Sequence, residues 1–243
     1  MTRLLLPQSA ITSPQIILTG EFHHKIKQVL RLTPGEPIEL IDGEGNIYQG
    51  SIGKFDRERT TVNISTHRFV PPPGIKVTLI QAIAKGKRFD LVLQKSTELG
   101  VNRIIPLITR RTVARPEGGE GKKAERWREI LRHAIEQSGQ AWLPHIEEPQ
   151  FLKDVLSKGP KEEFRILFYE EEKSRRLRDI WPTIPPKEIQ ILIGPEGGFE
   201  KEEVSLASSL GFIPISLGNL ILRTDTAPIV ALSLVQFLAG QLG

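Results

Sequence analysis

Three consecutive prolines in VPPPG, Val70 to Gly74, split the chain into two stretches with different patterning. Such a run lacks backbone N–H donors and holds φ near about −65°, so it joins neither a helix nor a central strand. It reads as a stiff, extended connector. Before it, short apolar runs (Leu4–Leu6, Ile16–Leu18, Ile38–Ile41, Thr61–Ile64) are separated by turn signals such as TPGE and DGEGN. These predict short strands. One helix interrupts them, because Phe22, Ile26, Val29 and Leu30 recur at i, i+4, i+7 and i+8. Residues 1–72 therefore read as a small β-barrel, a type that often binds RNA.

After the prolines, strands alternate with helices. Val77–Ala84, Arg103–Thr109, Phe164–Tyr169, Ile189–Ile193 and Phe212–Leu217 have strand character. Helices are predicted over Phe89–Leu99 with Gly100 as the stop, Ala124–Ser138, Ser174–Ile180, Val204–Leu210 and Ala227–Leu242. Ala114–Lys123 reads as a polar loop. This alternation predicts an α/β domain over 73–243, with a mainly parallel sheet covered on both faces. Such sheets bind ligands in the loops at the carboxyl ends of their strands. Three late loops qualify: YEEE after Phe168, GPEGG after Ile193, and GNLILRTDTAP after Leu217.

Composition removes several chemistries. The 243 residues include no cysteine, so disulfides, thiolate ligands and thiol nucleophiles are excluded. The five histidines lack metal-ligand spacing, and no metal is expected. No apolar run approaches the ~18 residues of a membrane span, and the N-terminal leucines are too few for a signal core. A cytoplasmic protein without a membrane partner is expected. Net charge is +4, unevenly spread. From Lys85 to Arg132 there are 13 Lys/Arg against 6 Asp/Glu, net +7; from His133 onward there are 11 against 16, net −5. Two readings of the basic stretch stand: a nucleic-acid contact or a solvated helix face.

The glycine loop is not a phosphate cradle. Neither a dinucleotide fingerprint nor a P-loop occurs, and Glu196 would repel a phosphate. A carboxylate suits a positive ligand or sugar hydroxyls. Gly194, Gly197 and Gly198 would permit close backbone approach, although a plain strand-to-helix turn is the alternative. In LGNLILRTDTAP, the apolar run Leu220–Leu222 lies between a strand and a helix, which predicts a segment buried beneath or through another loop. Thr226 is placed as the N-cap of the last helix, with Pro228 in its first turn.

Taken together, FHHKIKQVLRL, KGKRFDLVLQKSTELGV, HAIEQSGQAWLP, LIGPEGGFE and LGNLILRTDTA resemble the RsmE family of SPOUT methyltransferases, along almost the whole chain. The resemblance implies a PUA-like barrel followed by a SPOUT trefoil-knot domain. It also implies a homodimer, S-adenosylmethionine bound in the knot, and methylation of uridine N3 in 16S rRNA, with an assembled small ribosomal subunit favoured over naked rRNA. With that cofactor, contacts are expected from Phe168, Tyr169 and Glu170, and from Ile193, Gly194, Pro195, Glu196, Gly197 and Gly198. The third loop adds Leu217, Gly218, Ile221, Leu222, Arg223, Thr226 and Ala227.

Uracil N3 is a nucleophile only after losing its proton, so the site must stabilise an anion. Arg223 is the candidate for that work, with Asp225 and Thr226 positioning it or relaying the proton; pairing between Arg223 and Asp225 is the structural alternative. Without cysteine, the thiol-adduct route to uracil C5 is closed. Phosphate contacts are assigned to Lys85, Lys87, Arg88, Arg110, Arg111 and Arg115, and in the barrel to Arg3, His24 and Arg31. Gln137 and Ser138 either reach a dimer-related site or cap their helix. Three residues depart from the family pattern: Leu220 at a usually basic position, Glu200 in place of a Ser or Thr cap, and Asp225 for the commoner Glu. The Glu200 change predicts a weaker helix start, with Glu203 placed to offset it. The competing functions are a non-catalytic RNA-binding or ribosome-assembly protein, and a related knotted methyltransferase acting on ribose or tRNA.

Overall fold

The computed structural model describes residues 1–11, 14–113, 120–158 and 164–242. They form two compact units, Met1–Pro72 with Ile135–Leu143, and Pro73–Ala134 with Pro144–Gly243.

The first unit has strands β1 (Thr2–Leu5), β2 (Gln15–Thr19), β3 (Pro37–Ile41), β4 (Asn46–Phe55) and β5 (Arg59–Phe69), with a short helix α1 (Gly20–His24) after β2. The sheet order is β1-β3-β4-β5-β2, antiparallel except for the β1–β3 pair. Leu4, Ile16, Leu18, Ile38, Leu40, Ile52 and Val62 fill its core. β4 lacks the apolar run that marks the other strands: only Ile47 and Ile52 are buried, and polar residues and glycines fill most of its length. The helix also differs from its predicted periodicity. α1 continues as a π-helical turn, Lys25–Val29, closed by Leu30 N–H donating to Lys25 O at 2.8 Å. The wider turn keeps Ile26 buried but rotates Val29 outward, 64% exposed. Within this unit Glu136 accepts from Lys25 Nζ at 2.9 Å and from the Leu5 N–H at 3.0 Å.

The second unit alternates as β6 (Lys76–Ala82), α2 (Lys87–Glu98), β7 (Arg103–Ile108), α3 (Glu120–Ser138, whose last residues from Ile135 belong to the first unit), β8 (His145–Ile146), β9 (Gln150–Phe151), α4 (Leu152–Lys158), β10 (Phe164–Phe168), α5 (Leu177–Ile180), β11 (Glu188–Ile193), α6 (Lys201–Ser209), β12 (Ile213–Ile215) and α7 (Ala227–Leu238). Its sheet runs β12-β10-β11-β6-β7-β8, with β9 also on β7, and every pair is parallel. Neighbouring residues of each strand face opposite layers. Leu79, Ile104, Ile166 and Ile191 pack with Phe89 and Val92 of α2, Trp127 of α3 and Leu232 and Val235 of α7. Ile80, Ile105, Leu167 and Leu192 pack with Leu152 and Leu156 of α4, Ala207 of α6, and Phe199 and Phe212. Both faces of the sheet are thus covered.

Two local expectations are corrected here. α3 begins at Glu120, so 120–123 are helical, and 114–119 lie outside the described residues. The Ser174–Ile180 stretch is helical only over Leu177–Ile180. Upstream, Glu172 Oε1 accepts from Ser174 N and Oγ, both 2.8 Å, and from Arg175 N at 3.1 Å. These bonds offer the backbone an alternative to helix and hold the Glu172 carboxyl down at about 2.

The stop after α2 has φ +77° at Gly100, whose N–H donates to Thr97 O at 3.0 Å. Gly100→Ala is expected to cost about 1 kcal/mol through left-handed strain. Thermal unfolding should show a midpoint lower by roughly 2–4 °C.

Candidate active site

β11 lies between β10 and β6, although β6 comes first in the chain and β10 immediately precedes β11. The connection from β11 then passes β10 to reach the edge at β12. Crevices at the carboxyl ends of strands form at such changes of order. A cavity of about 360 Å³ opens there, within the second unit. All three late loops line it.

Phe168, Tyr169 and Glu170 contribute from the end of β10, and Ile193, Gly194, Pro195, Glu196 and Gly198 from the end of β11. Leu217, Gly218, Ile221, Leu222, Arg223 and Ala227 complete it after β12. Gly197 and Thr226, also assigned to the cofactor, are not among the lining residues. Burial and a hydrogen bond with Glu171 push the Tyr169 phenol up to about 12, so it stays protonated at neutral pH. Gly198 has φ +71°, and a Cβ there would overlap Glu170 Oε1. Glu196 Oε1 accepts from Lys85 N at 3.2 Å and faces Arg88 Nη1 at 3.4 Å.

The burial expected of Leu220–Leu222 is corrected: Leu220 is 80% and Ile221 81% exposed, at the rim of the cavity. Leu222 alone packs partly against the core. The segment is buried instead at a polar residue, Thr224, which is 5% exposed. Its hydroxyl donates to Gly194 O at 3.0 Å and accepts from Gln81 Nε2 at 3.2 Å. One side chain thus joins the segment after β12 to the end of β11 and to β6.

Arg223 lines the cavity and has no hydrogen bond or ion pair from its guanidinium to the described residues, so the alternative pairing with Asp225 is not formed. Its carbonyl is fixed by Thr226 N at 2.9 Å and Ala227 N at 2.8 Å. Asp225 lies outside the lining, with Oδ1 buried and lacking a hydrogen-bond partner among the described residues. Thr226 stands at the N-cap position, but its backbone is helical and its side chain makes no cap bond; the expected cap is replaced by the turn closed on Arg223 O. At α6, by contrast, Glu203 accepts from Glu200 N at 2.9 Å and secures the helix start.

The residues assigned to RNA are dispersed. Lys85, Lys87 and Arg88 lie at the start of α2, exposed, and Arg88 also lines the cavity. Arg110 and Arg111 follow β7 and are engaged by the GPEGG side of the site. Arg115 lies outside the described residues. In the first unit His24 and Arg31 are exposed, whereas Arg3 is paired with Glu39 at 2.5 Å. Ser138 Oγ accepts from Gln140 N at 3.4 Å, a helix-end contact.

A family model for an RNA methyltransferase domain matches residues 71–236, and one for an RNA methyltransferase PUA domain matches residues 19–65. The ribosomal RNA small subunit methyltransferase E of Synechocystis sp. is 34% identical over 243 residues, covering 97% of this chain and 77% of the relative. The chain belongs to the ribosomal RNA small subunit methyltransferase E family. The Bacillus subtilis member is 28% identical over 96% of this chain and 94% of its own length. Among solved structures, the Neisseria gonorrhoeae family member bound to S-adenosyl methionine superposes with a TM-score of 0.88 at 33% identity, over 98% of both chains. A Legionella pneumophila protein in complex with bound cofactor SAM gives 0.87 at 35% identity, over 97% of both chains. The family assignment accords with the α/β fold, its mainly parallel sheet and the PUA-like N-terminal region.

Arg88, Lys173, Ser216, Asn219, Leu220 and Thr224 line the cavity without having been assigned to the cofactor. Asn219, Leu220 and Thr224 stand inside the GNLILRTDTAP loop, and Arg88 in the basic stretch, so each carried a signal; Lys173 and Ser216 carried none. Gln81, its buried partner in β6, sits in an apolar strand where one amide attracts no notice.

Proposed function

We propose that this chain transfers the methyl group of S-adenosylmethionine to N3 of a specific uridine in 16S rRNA, presented in the small ribosomal subunit. The observation that carries the reading is the Arg223 guanidinium, unpaired among the described residues, on a cavity built from the three loops at the carboxyl ends of β10, β11 and β12. The volume lies within the ~300–1,000 Å³ typical of small-molecule sites. The lining fits the proposed cofactor. Ile193, Leu217 and Leu222 offer apolar surface to an adenine. Glu170 and Glu196 line it together with Arg88 and Lys173, a mixed set suited to a ligand bearing an ammonium, a sulfonium and a carboxylate.

When bound, S-adenosylmethionine supplies an electrophilic methyl on a positively charged sulfur. The chain's own residues prepare the acceptor. Arg223 holds the uracil as its anion, whose charge is shared by N3 and the two carbonyl oxygens. The N3 proton leaves to solvent, the N3–carbon bond forms as the carbon–sulfur bond breaks, and the sulfur departs neutral. Asp225 and Thr226, in the turn closed on Arg223 O, set the direction of that arginine. The target base leaves its stack to reach the site. Residues 1–72 serve as the RNA-binding domain and 73–243 as the methyltransferase domain, with Lys85, Lys87 and Arg88 on phosphates. The trefoil knot is supported by the Thr224 contacts, which draw the chain from the β12 edge back across β11 to β6.

A homodimer is part of the proposal. α7 carries Leu234 and Phe237 exposed on its surface, and α2, which packs on it, exposes Leu91. Isologous burial of these side chains fits a two-fold pair. Among the described residues no helix is long and apolar enough to cross a membrane. A ribosomal target places the activity in the cytoplasm.

Calorimetry with S-adenosylmethionine should give saturable heat, and 16S rRNA from a strain lacking the gene should lose one 3-methyluridine by mass spectrometry. Absence of heat at millimolar cofactor, or an unchanged 3-methyluridine content, would sink the assignment.

A further inference from the structure

Arg110 and Arg111 follow β7 in a turn that braces itself. Thr109 N donates to Thr112 Oγ1 at 2.9 Å, the two hydroxyls lie 2.9 Å apart, and both threonines are buried. This rigid turn presents two arginines to the loop that follows β11. Arg110 donates through its backbone N–H to Glu203 Oε1 at 3.0 Å and through Nη1 to Glu200 Oε2 at 2.7 Å. Hydrogen bonding to Glu200 raises its guanidinium above the usual value. Arg111 Nη1 donates to Gly197 O at 2.8 Å, and its Nε lies 3.8 Å from Glu200 Oε1. Gly197 lies against the arginine stem, where an added Cβ would meet Arg111 Cβ and Cδ at 3.5 Å.

Gly197 O and Gly198 N–H belong to one planar peptide. Arg111 grips its carbonyl, while its N–H donates to Pro195 O at 3.0 Å. The plane is thereby held from both ends. Gly198, Pro195 and Glu196 line the cavity, whereas Gly197 does not. The carbonyl Arg111 holds is therefore the outward side of the cavity wall. The charges of the two arginines are offset locally by Glu200 and Glu203, so an approaching phosphate meets a neutral cluster.

We infer that Arg111, supported by Arg110, is a positioning residue that fixes the Gly197–Gly198 peptide and so sets cofactor affinity, rather than an RNA-phosphate contact. The inference rests on the methyl-donor reading of the cavity. Arg111 is half exposed, so its replacement leaves the core packing intact.

The test uses the full chain, with calorimetry against S-adenosylmethionine, a 16S rRNA fragment-binding titration, and steady-state kinetics. Losing one charge-assisted hydrogen bond to a loop carbonyl corresponds to about a tenfold weakening. Arg111→Ala should raise both the Kd and the KM for S-adenosylmethionine by about that factor. kcat at saturating cofactor and rRNA affinity should stay within roughly twofold, a split that a general loss of stability would not produce. Arg111→Lys, which keeps one donor for the carbonyl, should recover most of the cofactor affinity. Unchanged cofactor affinity in Arg111→Ala, with or without weaker rRNA binding, would overturn the inference while leaving the methyltransferase reading intact. A wild-type chain that binds no cofactor would overturn both.

Discussion

Arg223→Ala should lower the single-turnover methylation rate by roughly 10²–10³, the usual cost of removing one donor from an anion-stabilising site. Its affinity for S-adenosylmethionine should change by less than about threefold, because the apolar walls and the GPEGG backbone are untouched. The geometry behind this is a division of labour within one residue. The Arg223 carbonyl is fixed by two backbone N–H groups, and among the described residues its guanidinium is left unpaired on the cavity. A guanidinium used to hold the fold would carry a carboxylate partner, as Arg3 does with Glu39 and Arg110 does with Glu200. Arg223→Lys keeps the charge and loses the planar fork, so it should fall between wild type and alanine. Rapid-quench methylation of small subunits with calorimetry in parallel separates the two quantities. Near-normal turnover in Arg223→Ala would remove this residue from the mechanism.

The parts legible in the sequence are those in which one residue type serves one environment. Strands β6, β7, β10 and β11 are buried on both faces, so they read as near-continuous apolar runs. The three loops of the cavity were legible because glycines and a polar cluster interrupt those runs. β4 was not, since its residues are mostly half-buried and follow neither period. α4 is short, and its Leu152, Val155 and Leu156 give too few repeats to stand out. Leu220 and Ile221 differ from expectation for another reason. An apolar loop residue does not require burial, and in the structure both lie exposed at a cavity rim. Arg110 and Arg111 show the converse limit. Net charge counts them as cations available to RNA, and their pairing with Glu200, far along the chain, becomes visible only in the fold.

The burial of Thr224 leads to the largest expected effect on stability. Thr224→Val preserves shape and removes the hydroxyl that donates to Gly194 O and accepts from Gln81 Nε2. Gly194 O then loses a donor at the end of β11, and Gln81 keeps a single bond, to Ala82 O at 3.0 Å. Gln81 Oε1 is already buried without a partner among the described residues, so little is at hand to compensate. At about 1–3 kcal/mol per buried group left unsatisfied, the variant should lose roughly 2–4 kcal/mol. For a chain of this size that lowers the thermal midpoint by roughly 5–15 °C. Thr224→Ser, which retains the hydroxyl and gives up one methyl, should lose only about 1 kcal/mol. The pair of variants separates the hydrogen bonds from the packing. Thr224 also ties the segment carrying Arg223 to the strand end carrying Gly194, so the valine variant should bind S-adenosylmethionine more weakly even where it is fully folded. A valine variant that melts with the wild type would mean that these two bonds contribute nothing net, and that apolar contacts alone hold the crossing segment on the sheet.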